Sequence, residues 1–434
     1  MKSSRSLSRS SASAFGLVIA LAGVGLYACS SDNPPPAGSS GTSGGFDAST
    51  DNNVPPVEGG SDAKVGDGGS TLPLGDLPTV DEPDVPCVTT NGIKTELFGS
   101  AATALGGPAV TRLQLLGARR FAAGPSTAGF ITFDAVGTTP KLFNVTLGST
   151  QTVFSSEGTT IGGFAVSAGK VDYQRYDDQG VTSGAAVSLA TGIVGGPAQA
   201  WVASGGGGSL AVYLDGTTLK AAGITAAGAL AGPAFAVATG VSTPHVALTY
   251  AGDKYAIAYS YASGTSSAAR FVFASTTATV GAPVDLLTGN AIEPVAITPT
   301  STGFLAVVDA GGDDHVYTVP LDATGKVSGV ARRLLGGDLP FALASHGNDV
   351  ALVVLTNDVK VGNMEGPRAP QFRPLDVTGK PTGPWVCLDA RIPNTLYQDM
   401  SLLAEASGGY SIVYKSPTDT TMLVRTDKLG TGAP

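Results

Sequence analysis

From residue 88 onward, apolar residues recur in short alternating or β-branched runs separated by Gly, Asp, Asn and Thr-Gly turns. A period of two is the mark of half-buried strands. No sustained helical period follows the first 28 residues, so the expectation is an all-β chain. Clear runs are Leu210 to Leu214, Tyr255 to Tyr261, Phe304 to Val308, Val350 to Leu355 and Tyr410 to Tyr414. Their first apolar residues lie 45, 49, 46 and 60 positions apart. A period near 45–50 with room for about four strands predicts radial repeats.

A second register supports the first. Pro320-Leu321-Asp322-Ala323-Thr324-Gly325-Lys326 nearly repeats at Pro374-Leu375-Asp376-Val377-Thr378-Gly379-Lys380. Each predicts a strand, a tight turn whose glycine takes positive φ, and a return strand. The Gly-x-x-x-Gly spacing of these repeats, Gly325/Gly329 and Gly379/Gly383, recurs at Gly180/Gly184 and Gly228/Gly232. Units are expected to begin near 109, 155, 196, 242, 291, 338 and 394. The second unit is short and hard to divide into four strands. This pattern resembles β-propellers of loosely similar blades over residues 87–434: about seven four-stranded blades, with six as the alternative count. A β-sandwich array or a β-solenoid is the competing architecture.

The last unit runs out after a strand near Thr421 to Thr426, without an outer strand. Since a ring protects its edges only once closed, an N-terminal run at Ile93 to Phe98 is expected to complete it. Cys87 and Cys387 form an even pair; two free thiols are the alternative to a disulfide. Cys387 falls in Trp385-Val386-Cys387-Leu388, where an outer strand belongs, so a Cys87–Cys387 bond would staple the closure from outside.

Composition separates the chain into parts. Lys2, Arg5 and Arg9 precede an apolar stretch from Ala14 to Leu26, too short to span roughly 30 Å of hydrocarbon. It ends Leu26-Tyr27-Ala28-Cys29, which resembles the bacterial lipobox, with Tyr27 bulkier than that pattern prefers. The resemblance implies a signal peptide over 1–28, cut before Cys29, and lipid on the Cys29 thiol. It also implies an outer-membrane address, because Ser30 and Ser31 follow in place of aspartate. An ordinary signal peptide with an incidental cysteine is the plainer alternative.

Residues 29–86 are rich in Gly, Ser, Pro, Asp and Asn, a composition too poor in apolar surface to offset the entropy of ordering. A disordered tether is expected there. Its ten acids face Lys64 alone, so it carries −9, which leaves −3 on residues 87–434 out of −9 for the whole chain and +3 for the signal. A nearly neutral domain without a basic stripe argues against nucleic acid as a partner. The expected partners are the membrane, through the lipid, and a protein or glycan ligand.

Candidate chemistry is sparse. His245, His315 and His346 have no metal-ligand spacing, and the Gly-Lys pairs at 169, 325 and 379 lack a phosphate-loop context. Gly41 to Gly45 matches a nucleophile-elbow spacing, but within the tether. The acidic run Asp309-Ala310-Gly311-Gly312-Asp313-Asp314-His315 reads as a hairpin tip rather than a Ca²⁺ site. Asp177-Asp178 reads the same way, and Arg119-Arg120 and Arg332-Arg333 read as solvated strand ends. Trp201 and Trp385 are expected to fill space between blades. No catalytic residue, metal or cofactor is expected. The functional expectation is a non-enzymatic binding or scaffold module; the alternative is a glycan-acting hydrolase or lyase on the same scaffold.

Overall fold

The computed structural model describes the chain from Arg112 to Thr426, apart from several connections of which 357–368 and 388–397 are the longest. It also describes Leu72–Pro73 and Thr103–Ala104. Cys29 and the expected signal, Cys87, and the expected closing run Ile93 to Phe98 lie outside the described residues.

The described strands form seven sheets. Blade 1 comprises Arg112–Leu116, Arg119–Ala123, Phe130–Phe133 and Lys141–Phe143, and blade 2 Gln151–Glu157, Thr160–Ser167, Lys170–Tyr176 and Thr182–Thr191. Blade 3 comprises Ala200–Gly205, Gly208–Asp215, Thr218–Ile224 and Phe235–Thr239. Blade 4 comprises Val246–Ala251, Lys254–Ser263, Ser266–Ala274 and Thr279–Gly289. Blade 5 comprises Ile292–Thr300, Gly303–Ala310, His315–Asp322 and Arg332–Leu334, and blade 6 Asp338–His346, Asp349–Thr356, Ala369–Asp376 and Val386–Cys387. Blade 7 takes Gln398–Ala404, Tyr410–Lys415 and Thr421–Thr426 from the C-terminal end. Its fourth strand is Thr103–Ala104, with Thr103 opposite Leu423 and Ala104 opposite Met422.

The first strand of each blade touches the first strands of both neighbours, from blade 1 round to blade 7 and back. Those strands line the inside of a closed ring, which is a β-propeller. The ring is closed by N-terminal chain, as the missing outer strand implies, and the closing strand described is Thr103–Ala104.

In blades 2 to 6 the second strands are buried on both faces, as in Gly208–Asp215, where Gly208 through Tyr213 are all buried. Each face of a middle strand meets a neighbouring blade, so alternation gives way to continuous apolar runs. Seven apolar clusters result, one per blade seam; Leu210, Val212, Tyr255 and Ile257 belong to the seam between blades 3 and 4. Burying each such side chain contributes about 1.5–3 kcal/mol. Trp201 and Trp385 are partly buried against two of these clusters, and Arg373 lies 4.9 Å from the Trp385 ring centre.

Small residues set the spacing of the blades. A Cβ on Gly223, in the third strand of blade 3, would stand 2.1 Å from the Thr276 carbonyl oxygen of blade 4. Because backbone cannot swing aside, Gly223→Ala is expected to cost about 1–3 kcal/mol, read as a lower urea midpoint at unchanged slope. A midpoint equal to that of the parent would show that the seam yields.

The turns behave as their sequences predict. Gly325 and Gly379 have φ of 84° and 77°. Asp322 Oδ1 accepts from the amides of Thr324 and Lys326, and Asp376 Oδ1 from those of Thr378 and Lys380. Asp177 does the same for Gln179 and Val181. Ala310 and His315, near the ends of the acidic run, pair across the strands Gly303–Ala310 and His315–Asp322; the tip itself, 311–314, lies outside the described residues. One difference falls in the stretch read as tether: Leu72–Pro73 forms a strand on the edge of blade 4.

Candidate functional site

In blades 1 to 6 the first and second strands are joined by a two-residue turn, and these turns share one face of the ring. Between the turns of blades 1, 2 and 3 lies a cavity of about 390 Å³. Its wall is formed by Gln114, Leu115, Ser156, Glu157, Ser204 and the glycine run 205–208, with Gly158 beside it. Glycine is required at position 205, where a Cβ would fall 1.9 Å from the Tyr250 ring of blade 4. The turns are tied together, since the Gly117 amide donates to the Gly158 carbonyl at 2.8 Å.

Glu157 organises the wall. It ends the inner strand of blade 2, and its side chain is only 1% exposed. One carboxylate oxygen, Oε2, accepts from the Tyr173 hydroxyl at 2.7 Å and from Arg175 Nε at 2.9 Å. The other, Oε1, accepts from Ser209 Oγ on blade 3 at 2.5 Å. Hydroxyl contacts continue from Ser209 to Ser204 and from Ser204 to Ser155, both at 2.7 Å. Gln114 Oε1 on blade 1 accepts from the Ser156 amide at 2.6 Å. Burial, followed by the hydrogen bond to Glu157, pushes the Tyr173 phenol well above its ordinary value. Gly162 makes room for this centre, because a Cβ there would lie 2.7 Å from Glu157 Oε1.

A related arrangement closes the ring. Glu405 follows the inner strand of blade 7 and is 2% exposed. Arg120 of blade 1 donates to it through Nε at 3.1 Å and through Nη2, and Ser411 donates to Oε1. This corrects the reading of Arg119-Arg120 as a solvated end: Arg120 is 11% exposed and paired with an acid 285 residues away. No local pattern announces such a partner.

These contacts share a structural address. The second residue of the second strand is Arg120, Ile161, Ser209, Tyr255, Phe304 and Val350 in blades 1 to 6, and in blade 7 the second strand starts at Tyr410, opposite Ala404. Arg120 and Ser209 bind the glutamates of the preceding blades, and the Tyr255 hydroxyl donates to the Gly205 carbonyl at 3.3 Å. The Tyr410 hydroxyl donates to the Asp349 carbonyl of blade 6 at 2.9 Å. The sequence signal was present but shifted: Tyr255, Phe304, Val350 and Tyr410 all head predicted runs, whereas blade 3 was read from Leu210, one residue past Ser209.

The three histidines are not brought together in this site. The His245 ring lies 3.2 Å from Glu293 Oε1 between blades 4 and 5. His346 ends an inner strand and is exposed, and His315 starts the third strand of blade 5. Among the described residues, no group of three or more His, Cys, Asp or Glu is placed to hold a metal ion. Cys387 is in the outer strand of blade 6, opposite Gln371, as expected.

Seven sheets closed by an N-terminal strand, with polar seams buried between blades, define the class: a β-propeller of seven blades. No family model matches the chain, and no curated protein does. Among solved structures it is similar to one of prolyl endopeptidases, at 12% identity and a TM-score of 0.41 over 74% of this chain; it spans about half of that longer chain, 50%. It is similar to streptogramin B lyase at 12% identity and a TM-score of 0.47, over 75% of this chain and 97% of that one. It is also similar to apo AztD from Citrobacter koseri, at 14% identity and a TM-score of 0.42, over 75% and 87%.

Proposed function

We propose that the chain is a lipoprotein anchored through Cys29 on the outer membrane, and that its propeller is a non-enzymatic binding or scaffold module. The observation that supports binding is the chemistry of the cavity wall. It offers serine hydroxyls, the Gln114 amide and glycine backbone, and its acid, Glu157, is already matched by Arg175. General-base or nucleophilic work needs a group with a lone pair directed at substrate. Both oxygens of Glu157 are engaged within the protein. A cavity of this size fits a small polar ligand such as a disaccharide unit of an envelope glycan.

Two measurements test the reading. Full-length protein in detergent is titrated calorimetrically with envelope glycan fragments, beside Ser156→Trp, which fills the cavity. Heat from the parent and none from the variant is the expected result. Shortened glycan products would replace the binding module with the hydrolase or lyase alternative. Separately, Cys29→Ser is expected to move the protein from the membrane to the soluble fraction, since stable anchoring takes two or more acyl chains. Unchanged membrane retention would overturn the lipid anchor.

A further inference from the structure

The wall of the cavity has already committed most of its polar atoms. Gln114, Ser156 and Ser204 line it from blades 1, 2 and 3. They meet at two consecutive residues of the inner strand of blade 2, because Gln114 Oε1 accepts from the Ser156 amide at 2.6 Å and Ser204 Oγ lies 2.7 Å from Ser155 Oγ. A backbone amide can only donate, so the side-chain atom facing it is the Gln114 oxygen and not its nitrogen. Gln114 Nε2 has no hydrogen-bond partner among the described residues.

The serine protons are committed inside the wall. Ser156 Oγ donates to the Leu115 carbonyl, which can only accept. Ser209 has one proton, and Glu157 Oε1 receives it. Ser209 therefore has none for Ser204, whose own proton goes to Ser209 or to Ser155, both 2.7 Å away. In either case it stays within the wall. The side chains are left with one donor for a ligand, Gln114 Nε2, and two acceptors, Ser156 Oγ and Ser204 Oγ. The acid beside them is matched by Arg175, so no net charge selects the ligand.

We propose that the cavity recognises a 2-acetamido sugar, with Gln114 as the residue that sets the specificity. An acetamido group and the hydroxyl next to it present the complementary set. Their carbonyl oxygen accepts from Gln114 Nε2, and their N–H and O–H donate to Ser156 Oγ and Ser204 Oγ. A plain hydroxyl in place of the acetamido group can turn to donate or to accept, but one of the three wall atoms is then left unpaired. A site built for one polar group rejects the analogue lacking it for that reason. The glycine run at 205–208 adds no side chains to the wall, which leaves room for the bulkier group. The proposal rests on the reading of the propeller as a glycan-binding module and names the group that is read.

The test is a calorimetric titration of the full-length protein, in a detergent without a sugar headgroup, with N,N′-diacetylchitobiose and with cellobiose. The two disaccharides share ring and linkage and differ in the acetamido group. The diacetyl sugar is expected to bind roughly ten-fold more tightly. Equal affinities would overturn the acetamido assignment and leave the binding module standing. No heat from either sugar, or from longer envelope fragments, would overturn both. Gln114→Glu keeps an oxygen for the Ser156 amide and puts an acceptor where the donor was. It is expected to bring the diacetyl sugar down to the cellobiose level, and a retained preference would overturn the role of Gln114. Ser156→Ala removes one acceptor and is expected to weaken the diacetyl sugar about three- to ten-fold; unchanged affinity would remove Ser156 from the set. The comparison of the two sugars on the parent protein needs no variant, so it decides even where Gln114→Glu fails to fold.

Discussion

Arg120→Met is expected to lower the stability of the propeller by about 3–5 kcal/mol, the usual cost of stranding one member of a buried ion pair. Glu405 is 3% exposed at its side chain and Arg120 11%, so water cannot replace the guanidinium. The position adds to the effect. Among the described residues, the outer strand of blade 7 is Thr103–Ala104, and the seam to blade 1 has an apolar cluster of Leu113, Ile131, Phe133, Val413 and Leu423. Polar contacts cross this seam as well, with the Leu113 amide donating to Ser401 Oγ at 2.8 Å. Urea unfolding with inner-strand amide exchange gives the measurement. Lys170→Met is the control: Lys170 is 55% exposed in its pair with Asp172, where about 0–1 kcal/mol is at stake. The double variant Arg120→Met/Glu405→Leu is expected to recover most of the loss, since the unpaired charge is then gone. A loss no larger than that of the control would show that the pair is dispensable for closure.

The contrast between Arg120 and the blade strands shows which parts of this fold are legible in sequence. Strand runs were visible because the second strands, buried on both faces, read as apolar words bounded by turns. Predicted starts near 109, 155, 196, 242, 291, 338 and 394 fall within four residues of inner strands that begin at 112, 151, 200, 246, 292, 338 and 398. Blade 2 looked too short because its outer strand, Thr182–Thr191, is exposed along residues 182–186 and has no clean alternation. The candidate site was not legible. Glu157 looks like any acid before a glycine turn, and its partners come from positions 173, 175 and 209. Only the ring brings those positions together, by a register that a one-residue slip at Leu210 conceals. The same holds for Glu405, whose arginine lies at the far end of the chain.

Above about pH 10 the propeller is expected to unfold in one steep step, with tyrosinate absorbance and loss of β-sheet signal rising together. Burial is the first cause of raised phenol ionisation at Tyr173, Tyr176, Tyr213, Tyr255, Tyr259 and Tyr410, with Tyr176 and Tyr213 pushed up to about 12. Each of these side chains is at most 2% exposed. The ordinary phenol loses its proton near pH 10, so below that value both states hold it and the full stability is present. Above it the unfolded chain ionises while the folded chain does not, and stability falls with pH up to the raised folded values. Arg373 acts in the opposite sense. Burial lowers it to about 10, so with rising pH the fold releases a proton that the unfolded chain keeps, which offsets one tyrosine. Five net protons at about 1.4 kcal/mol each per pH unit give roughly 7 kcal/mol per unit. That slope consumes a typical total stability of 5–15 kcal/mol within about two units. Tyr255→Phe and Tyr410→Phe each remove one ionising group and one hydrogen bond, so each variant is expected to unfold less steeply with alkali while starting about 1 kcal/mol less stable at neutral pH. Gradual ionisation of these phenols near pH 10 with the β-sheet signal intact would show that solvent reaches them in the folded state.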